Sequence, residues 1–190
     1  MKRIVIFASG SGTNAENIIE FFHNRENASV IQVLTNNPRA KVLDRCKKLN
    51  VSALSFNKRA FSQSNNVLSL LKSSNPDLII LAGFLWKFPE FILQEFPNKV
   101  INIHPALLPK YGGKGMYGMH VHEAVVQNNE TETGITIHYV NANYDEGAII
   151  FQAKCDVNIA DSADNVAKKI HVLEMEHFPK VINALLFSNV

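Results

Sequence analysis

Short apolar runs alternate with amphipathic stretches along the first hundred residues. Residues 4–7, 30–34 and 78–82 are runs of strand length in which apolar residues dominate. Between them, residues 15–22 and 40–49 space their apolar positions as helices do, and Thr13 or Asn14 suits the N-cap of the first. Residues 51–56 read as a weaker third strand and 66–73 as a further helix. Leu78-Ile79-Ile80-Leu81-Ala82 has no polar position, which predicts a central strand buried on both faces. Residues 100–104 follow as the next strand. This order predicts an α/β fold with a doubly wound, mostly parallel sheet.

The last third has a different rhythm. Residues 134–140 set Ile135, Ile137 and Tyr139 against Thr136, His138 and Val140. Residues 149–157 form a second candidate strand, and the turn at 143–147 lets the two pair antiparallel. A final long helix starts near Asp161-Ser162 and carries Val166, Ile170, Leu173, His177, Val181 and Leu185 at helical spacing. Pro179 is expected to bend or break it.

No linker, repeat or low-complexity tract divides the 190 residues, so a single domain over 1–190 is expected. Hydrophobic residues make up 46% and charged residues 19%, with a formal net charge of +2. That balance gives no electrostatic case for nucleic acid or a membrane surface. The apolar start reads as a first strand rather than a signal peptide, and no stretch is long enough to span a bilayer. Cys46 and Cys155 share no metal or redox spacing. Reduced thiols in a cytoplasmic protein are the expectation.

Candidate chemistry concentrates in Asn102-Ile103-His104-Pro105. Side chains two apart on a strand share a face, so an amide that can hold a developing oxyanion lies beside an imidazole that can move a proton. The pairing points to acyl transfer. Ser9-Gly10-Ser11-Gly12-Thr13-Asn14 joins the first strand to the first helix, where main-chain N–H groups and the helix dipole favour an anion. A phosphomonoester suits it, the alternative being a tight turn that binds nothing. A dinucleotide does not suit it, because the third glycine of the G-x-G-x-x-G pattern is replaced by Ala15. Asp145, in Tyr144-Asp145-Glu146-Gly147, is either a solvated turn carboxylate or a partner that raises the His104 pKa and keeps the ring protonated. His120-Val121-His122 has no companion ligands at metal spacing; His120 is either a pocket-rim residue or a helix-start residue. Gly112-Gly113-Lys114-Gly115-Met116-Tyr117-Gly118 reads as a flexible loop beside the Asn/His strand.

Taken together, Gly10 to Asn14, Leu81-Ala82-Gly83-Phe84, the run from Asn102 to Tyr111, His120-Val121-His122 and Asp145-Glu146-Gly147 make a chain that resembles the phosphoribosylglycinamide formyltransferases, folate-dependent members of the formyltransferase family. The resemblance extends from Ile4 to about Ile182. It implies a Rossmann-like formyltransferase fold. It also implies an activity in purine biosynthesis: transfer of the formyl group of 10-formyltetrahydrofolate to the amine of glycinamide ribonucleotide, with no metal or nucleotide cofactor. By the same resemblance, Asn102, His104 and Asp145 would be catalytic, and Gly12, Thr13 and Asn14 would hold the substrate phosphate. Glu174 would contact the same substrate. Arg59, Leu85, Trp86, Lys87, Phe88, Asn102, Asn141, Ala142, Asn143, Tyr144 and Asp145 would meet the folate. Trp86-Lys87 departs from the more familiar Met-Arg type of pair, and 113–118 lengthens the loop that precedes His120. The expected partners are the two small molecules, with the chain a monomer or homodimer. Related readings are a methionyl-tRNA formyltransferase, which usually carries a further basic domain, a formyltetrahydrofolate hydrolase, and a catalytically silent binding module.

Overall fold

The computed structural model describes residues 1–187. Its strands are β1 (Lys2–Phe7), β2 (Ala28–Thr35), β3 (Ala53–Ser55), β4 (Leu78–Leu81), β5 (Val100–His104), β6 (Glu132–Tyr139) and β7 (Ile149–Asp156). Its helices are α1 (Thr13–His23), α2 (Val42–Lys48), α3 (Lys58–Ser62), α4 (Asn66–Ser74), α5 (Glu90–Glu95), α6 (Met119–Gln127) and α7 (Ala163–Phe187). All seven strands lie in one sheet, in the order β3-β2-β1-β4-β5-β6-β7. The first five are parallel, whereas β6 runs antiparallel to β5 and β7 antiparallel to β6. The fold is therefore the expected doubly wound α/β sheet with an antiparallel end and a long last helix.

The apolar strands are buried because both faces of the sheet are covered. Alternate residues of β1 go to opposite sides, as the pleat requires. Ile4 and Ile6 pack with Ile18 and Phe22 of α1 and with Val166, Ile170 and Phe178 of α7. Val5 and Phe7 pack with Phe61 of α3, Leu71 of α4 and Ile92 of α5. Phe7 is the hub of that second layer, with edge-to-face contacts to Phe56, Phe84 and Phe88 at centroid distances of 5.9, 5.3 and 5.2 Å. Such pairs add about 0.5–1.5 kcal/mol each beyond their burial.

Two local expectations are corrected. The N-cap of α1 is Gly12, at φ 76° and without a side-chain cap; Thr13 and Asn14 lie inside the helix. Pro179 does not end α7, which runs on to Phe187. A proline there forfeits one helical hydrogen bond, and burial of Phe178, Pro179 and Ile182 offsets the loss. The short helices α3 and α5 were not foreseen, since five or six residues show too little periodicity to read.

Winding sets the position of the site. The chain steps outward from β1 through β2 to β3, then returns to the other side of β1 with β4. This places a switch point between β1 and β4, and open α/β sheets bind ligands outside the carboxyl ends of strands at such a point. Phe7 pairs with Leu81 and Leu81 with Asn102, so the ends of β1, β4 and β5 lie side by side.

Candidate active site

A cavity of about 460 Å³ opens at those strand ends. Residues 9–14 after β1, 82–85 after β4 and 102–105 at the end of β5 line it. Gly113, Gly115, Met116, Tyr117 and Gly118 line it as well, together with His122, Tyr144, Asp145, His171 and Glu174. Thus residues from the whole length of the chain meet around one space.

The β1–α1 turn forms one end. Gly12 must be glycine, because a Cβ there would come within 2.4 Å of Val42 Cγ2 while the backbone holds a positive φ. The turn is braced from outside: Val42 N–H donates to the Gly10 carbonyl at 3.2 Å, and Arg45 Nε donates to the Ser11 carbonyl at 2.9 Å. Arg45 also pairs with Glu16. The first N–H groups of α1 are left without a side-chain cap. Asn14 Nδ2 donates to Glu174 Oε2 at 2.9 Å, bringing α7 to this end, while Asn14 Oδ1 is buried without a partner. His171 Nδ1 lies 3.7 Å from Glu174 Oε2, and hydrogen bonding to that carboxylate pushes the His171 pKa up. Gly12, Thr13, Asn14 and Glu174 therefore lie together at this end of the cavity.

Side chains from β5, β6 and the loop 140–148 form the other end. His104 is 3% exposed, and its Nε2–H donates to the Tyr111 carbonyl at 2.7 Å. Since a carbonyl only accepts, this contact fixes the neutral tautomer and leaves Nδ1 to face Asp145 Oδ2 at 3.6 Å. Asn102 sits opposite His138 in the β5–β6 register. Its amide donates to His138 Nε2 at 3.1 Å and to Asp145 Oδ1 at 3.5 Å. His138 Nδ1–H in turn donates to the Tyr139 carbonyl at 2.9 Å. Asp145 also accepts from Gly113 N–H at 3.0 Å. The loop that carries Asp145 closes back on β6 through Gly147, where any Cβ would lie 1.7 Å from the Tyr139 carbonyl oxygen.

Electrostatics at this end differ from expectation in one respect. Burial pushes the Asp145 carboxyl up, but the neighbouring His138 and His104 rings and the Gly113 N–H outweigh it and hold the pKa below the usual carboxylate range. For His104, burial pulls the pKa down, and neither Asp145 nor the Tyr111 carbonyl fully compensates; the nearby His138 lowers it further. Asp145 does stand beside His104 and favours the charged ring, yet burial outweighs it and the His104 pKa lies below the ordinary histidine value. Desolvation of a nearly enclosed imidazole wins over a carboxylate 3.6 Å away.

A second cavity, of about 430 Å³, adjoins the first at Tyr144, which lines both. Lys58, Trp86, Lys87, Phe88 and Ala142 also line it. Lys87 Nζ sits 5.9 Å from the Tyr144 ring centroid. Phe88 reaches it from the core, where its ring is 3% exposed. Leu85 lines the first cavity instead. Arg59 is exposed on α3 beside Lys58 and lines neither cavity, and nor do Asn141 and Asn143, whose hydrogen bonds shape the loop: Asn143 N–H to Asn141 Oδ1 and Asn143 Nδ2 to Glu146.

Sequence reasoning gave no site role to His138, His122 or His171. His138 was visible only as one polar position in an alternating strand; the β5–β6 register supplies its meaning. His122, 6% exposed, lines the cavity with Nδ1 unpartnered, and burial lowers its pKa. His120 points elsewhere, to Glu123 at 3.5 Å and the Tyr117 ring at 5.4 Å. Among the described residues, no group of three or more His, Cys, Asp or Glu side chains could hold a metal, and no helix is long and apolar enough to cross a membrane.

Known proteins share this arrangement of sequence and fold. The chain is 33% identical over 196 residues to a phosphoribosylglycinamide formyltransferase of Bacillus subtilis, covering 100% of this chain and 97% of that protein. It is 33% identical over 190 residues to a chloroplastic phosphoribosylglycinamide formyltransferase of Arabidopsis thaliana, covering 97% of this chain but 65% of that longer one. The crystal structure of a glycinamide ribonucleotide transformylase from Geobacillus kaustophilus superposes with a TM-score of 0.89 at 32% identity, over 98% of this chain and 99% of that one. The family model described as Formyl transferase matches residues 2–182, and the chain belongs to that family.

Proposed function

We propose that this chain transfers the formyl group of 10-formyltetrahydrofolate to the amine of 5'-phosphoribosylglycinamide, a step of purine biosynthesis. The observation that carries the reading is one continuous cavity with an uncapped helix N-terminus at one end and the Asn102–His104–Asp145 cluster at the other. Gly12, Thr13 and Asn14 bind the phosphate, with Glu174 ordering Asn14 and reaching the same substrate. The adjoining cavity fits the folate: Trp86 and Tyr144 offer aromatic walls, and Lys58 and Lys87 offer cations for its carboxylates. The folate supplies the formyl carbon.

Attack by the substrate amine forms a C–N bond, builds an oxyanion, and leaves the attacking nitrogen with a proton to lose. Asn102 turns an amide N–H toward the oxyanion. His104 has one unprotonated nitrogen, Nδ1 beside Asp145, because Nε2–H is committed to Tyr111. Nδ1 therefore takes the proton, with Asp145 stabilising the imidazolium and His104 passing the proton to the departing nitrogen. The developing negative charge draws the His104 pKa upward, so charge development and proton uptake reinforce one another. The test is to incubate the protein with 10-formyltetrahydrofolate, with and without glycinamide ribonucleotide, and follow folate absorbance. Amine-dependent turnover is expected. Turnover at the same rate without the amine would make it a hydrolase, and none with the amine would leave a binding module.

A further inference from the structure

His104 is held by main chain as well as by Asp145. The Tyr111 carbonyl accepts from its Nε2–H at 2.7 Å, and two residues later Gly113 N–H donates to Asp145 at 3.0 Å. One tripeptide, 111–113, thus touches both members of the proton-handling pair. Tyr111 stands at φ 56°, a left-handed conformation unfavourable for an aromatic residue. Its hold lies outside the catalytic cavity. The Tyr111 hydroxyl donates to Glu130 Oε1 at 2.9 Å, and Lys110 Nζ bonds both oxygens of the same carboxylate at 2.9 and 3.2 Å. Glu130 is fixed in turn by its own N–H, which donates to the Val125 carbonyl at 3.2 Å. Tyr111, Lys110 and Glu130 line a separate cleft of about 300 Å³, and none of them lines the catalytic cavity.

We propose that Tyr111 and Glu130 are positioning residues for formyl transfer: their hydroxyl–carboxylate tie holds the 111–113 main chain in the bend that fixes the His104 tautomer and aims Nδ1 at Asp145. The inference rests on His104 being the proton carrier of the proposed reaction. An imidazole serves as a proton carrier only while one nitrogen is committed and the other is presented to the reaction. The groups facing His104 are Asp145 from the loop 140–148, His138 from β6, His122 from α6 and the Tyr111 carbonyl. Of these, Asp145 and the carbonyl favour the charged ring.

The test compares Tyr111→Phe, Glu130→Ala and Glu130→Gln with the unmutated protein. The readouts are kcat, both KM values, the pH dependence of kcat, and the His104 ring resonances by nitrogen-edited NMR. Tyr111→Phe should lower kcat about threefold to tenfold, the loss of one orienting hydrogen bond, with both KM values unchanged. The pH limb set by His104 should move to lower pH, because the carbonyl that favours the charged ring is no longer held in place. The Nε2–H resonance should broaden or shift. Glu130→Ala should do the same, and Glu130→Gln, which keeps an acceptor for the hydroxyl, should restore most of the loss. An unmutated kcat, limb and ring resonance in Tyr111→Phe would overturn the proposal. So would a loss of kcat that tracks loss of folded protein while the limb stays fixed. If His104→Ala retained full turnover, the proton-carrier reading would fail instead, while the ring resonances of Tyr111→Phe would still report on the tie.

Discussion

The two ends of the cavity are built in opposite ways. The proposed anchor end is local: six consecutive residues, 9–14, with main-chain N–H groups at the helix start and a glycine to shape the turn. The proposed proton-handling end is assembled from distant segments, namely Asn102 and His104 on β5, His138 on β6 and Asp145 on the following loop, joined by antiparallel register and a closing glycine. Recognition by main chain tolerates many side-chain changes but no change of backbone path. Catalysis by side chains tolerates neither. Damage to the first end should therefore appear in KM, and damage to the second in kcat.

The largest effect expected is at the second end. His104→Ala and Asn102→Ala should each lower kcat about a hundredfold or more, as loss of an oxyanion donor or proton carrier does elsewhere, with modest change in KM. A variant in which KM rose while kcat held would erase the division of labour between the two ends.

The next effect separates the ends by backbone strain. Gly12→Ala places a Cβ 2.4 Å from Val42 at a positive φ. It should cost about 1–3 kcal/mol of stability, read as a lowered Tm. It should also raise KM for the phosphorylated amine far more than it lowers kcat. An equal fall in kcat with KM unchanged would show that the turn serves the chemistry rather than the anchor.

A smaller effect is the dependence of stability on pH. His104 and His122 both have folded pKa values below the ordinary histidine value. Their neutral burial contributes fully above the unfolded pKa, near 6.5, and is lost as pH falls from there toward the folded values. Asp145 acts in the same direction but lower: its depressed pKa contributes above the unfolded value, near 3.9, and is lost as pH falls through the folded one. Tm should therefore drop below about pH 6.5, and the slope in the histidine window should flatten in His104→Ala. An unchanged slope would mean that His104 is not buried neutral. Smallest is the kinetic effect of Tyr111→Phe, which refines how the second end is held.

What the sequence made legible divides along the same line. The parallel half could be read because its central strands are apolar runs and its longer helices carry their own spacing; α3 and α5 are too short to show one. The β1–α1 turn could be read because its glycines and polar residues are contiguous, although the cap falls on Gly12 rather than on Thr13 or Asn14. Asn102 and His104 were visible as a pair on one strand. His138 was not, because its partner is set by the β5–β6 register, which aligns it with Asn102 through hydrogen bonds no single segment encodes. The direction of the His104 pKa shift was misjudged for a related reason: Asp145 was foreseen, whereas the enclosure that desolvates the ring comes from residues spread along the chain. Pro179 was read by its local penalty, and the burial around it prevailed.

The most direct test of the central claim follows the formyl carbon itself. With 13C-labelled 10-formyltetrahydrofolate and glycinamide ribonucleotide, NMR distinguishes label on the substrate amine from label released as formate. The mechanism predicts label on the amine with the unmutated protein, formed at least about a hundredfold more slowly by His104→Ala. Label appearing as formate, or on the amine at the same rate in both proteins, would contradict it.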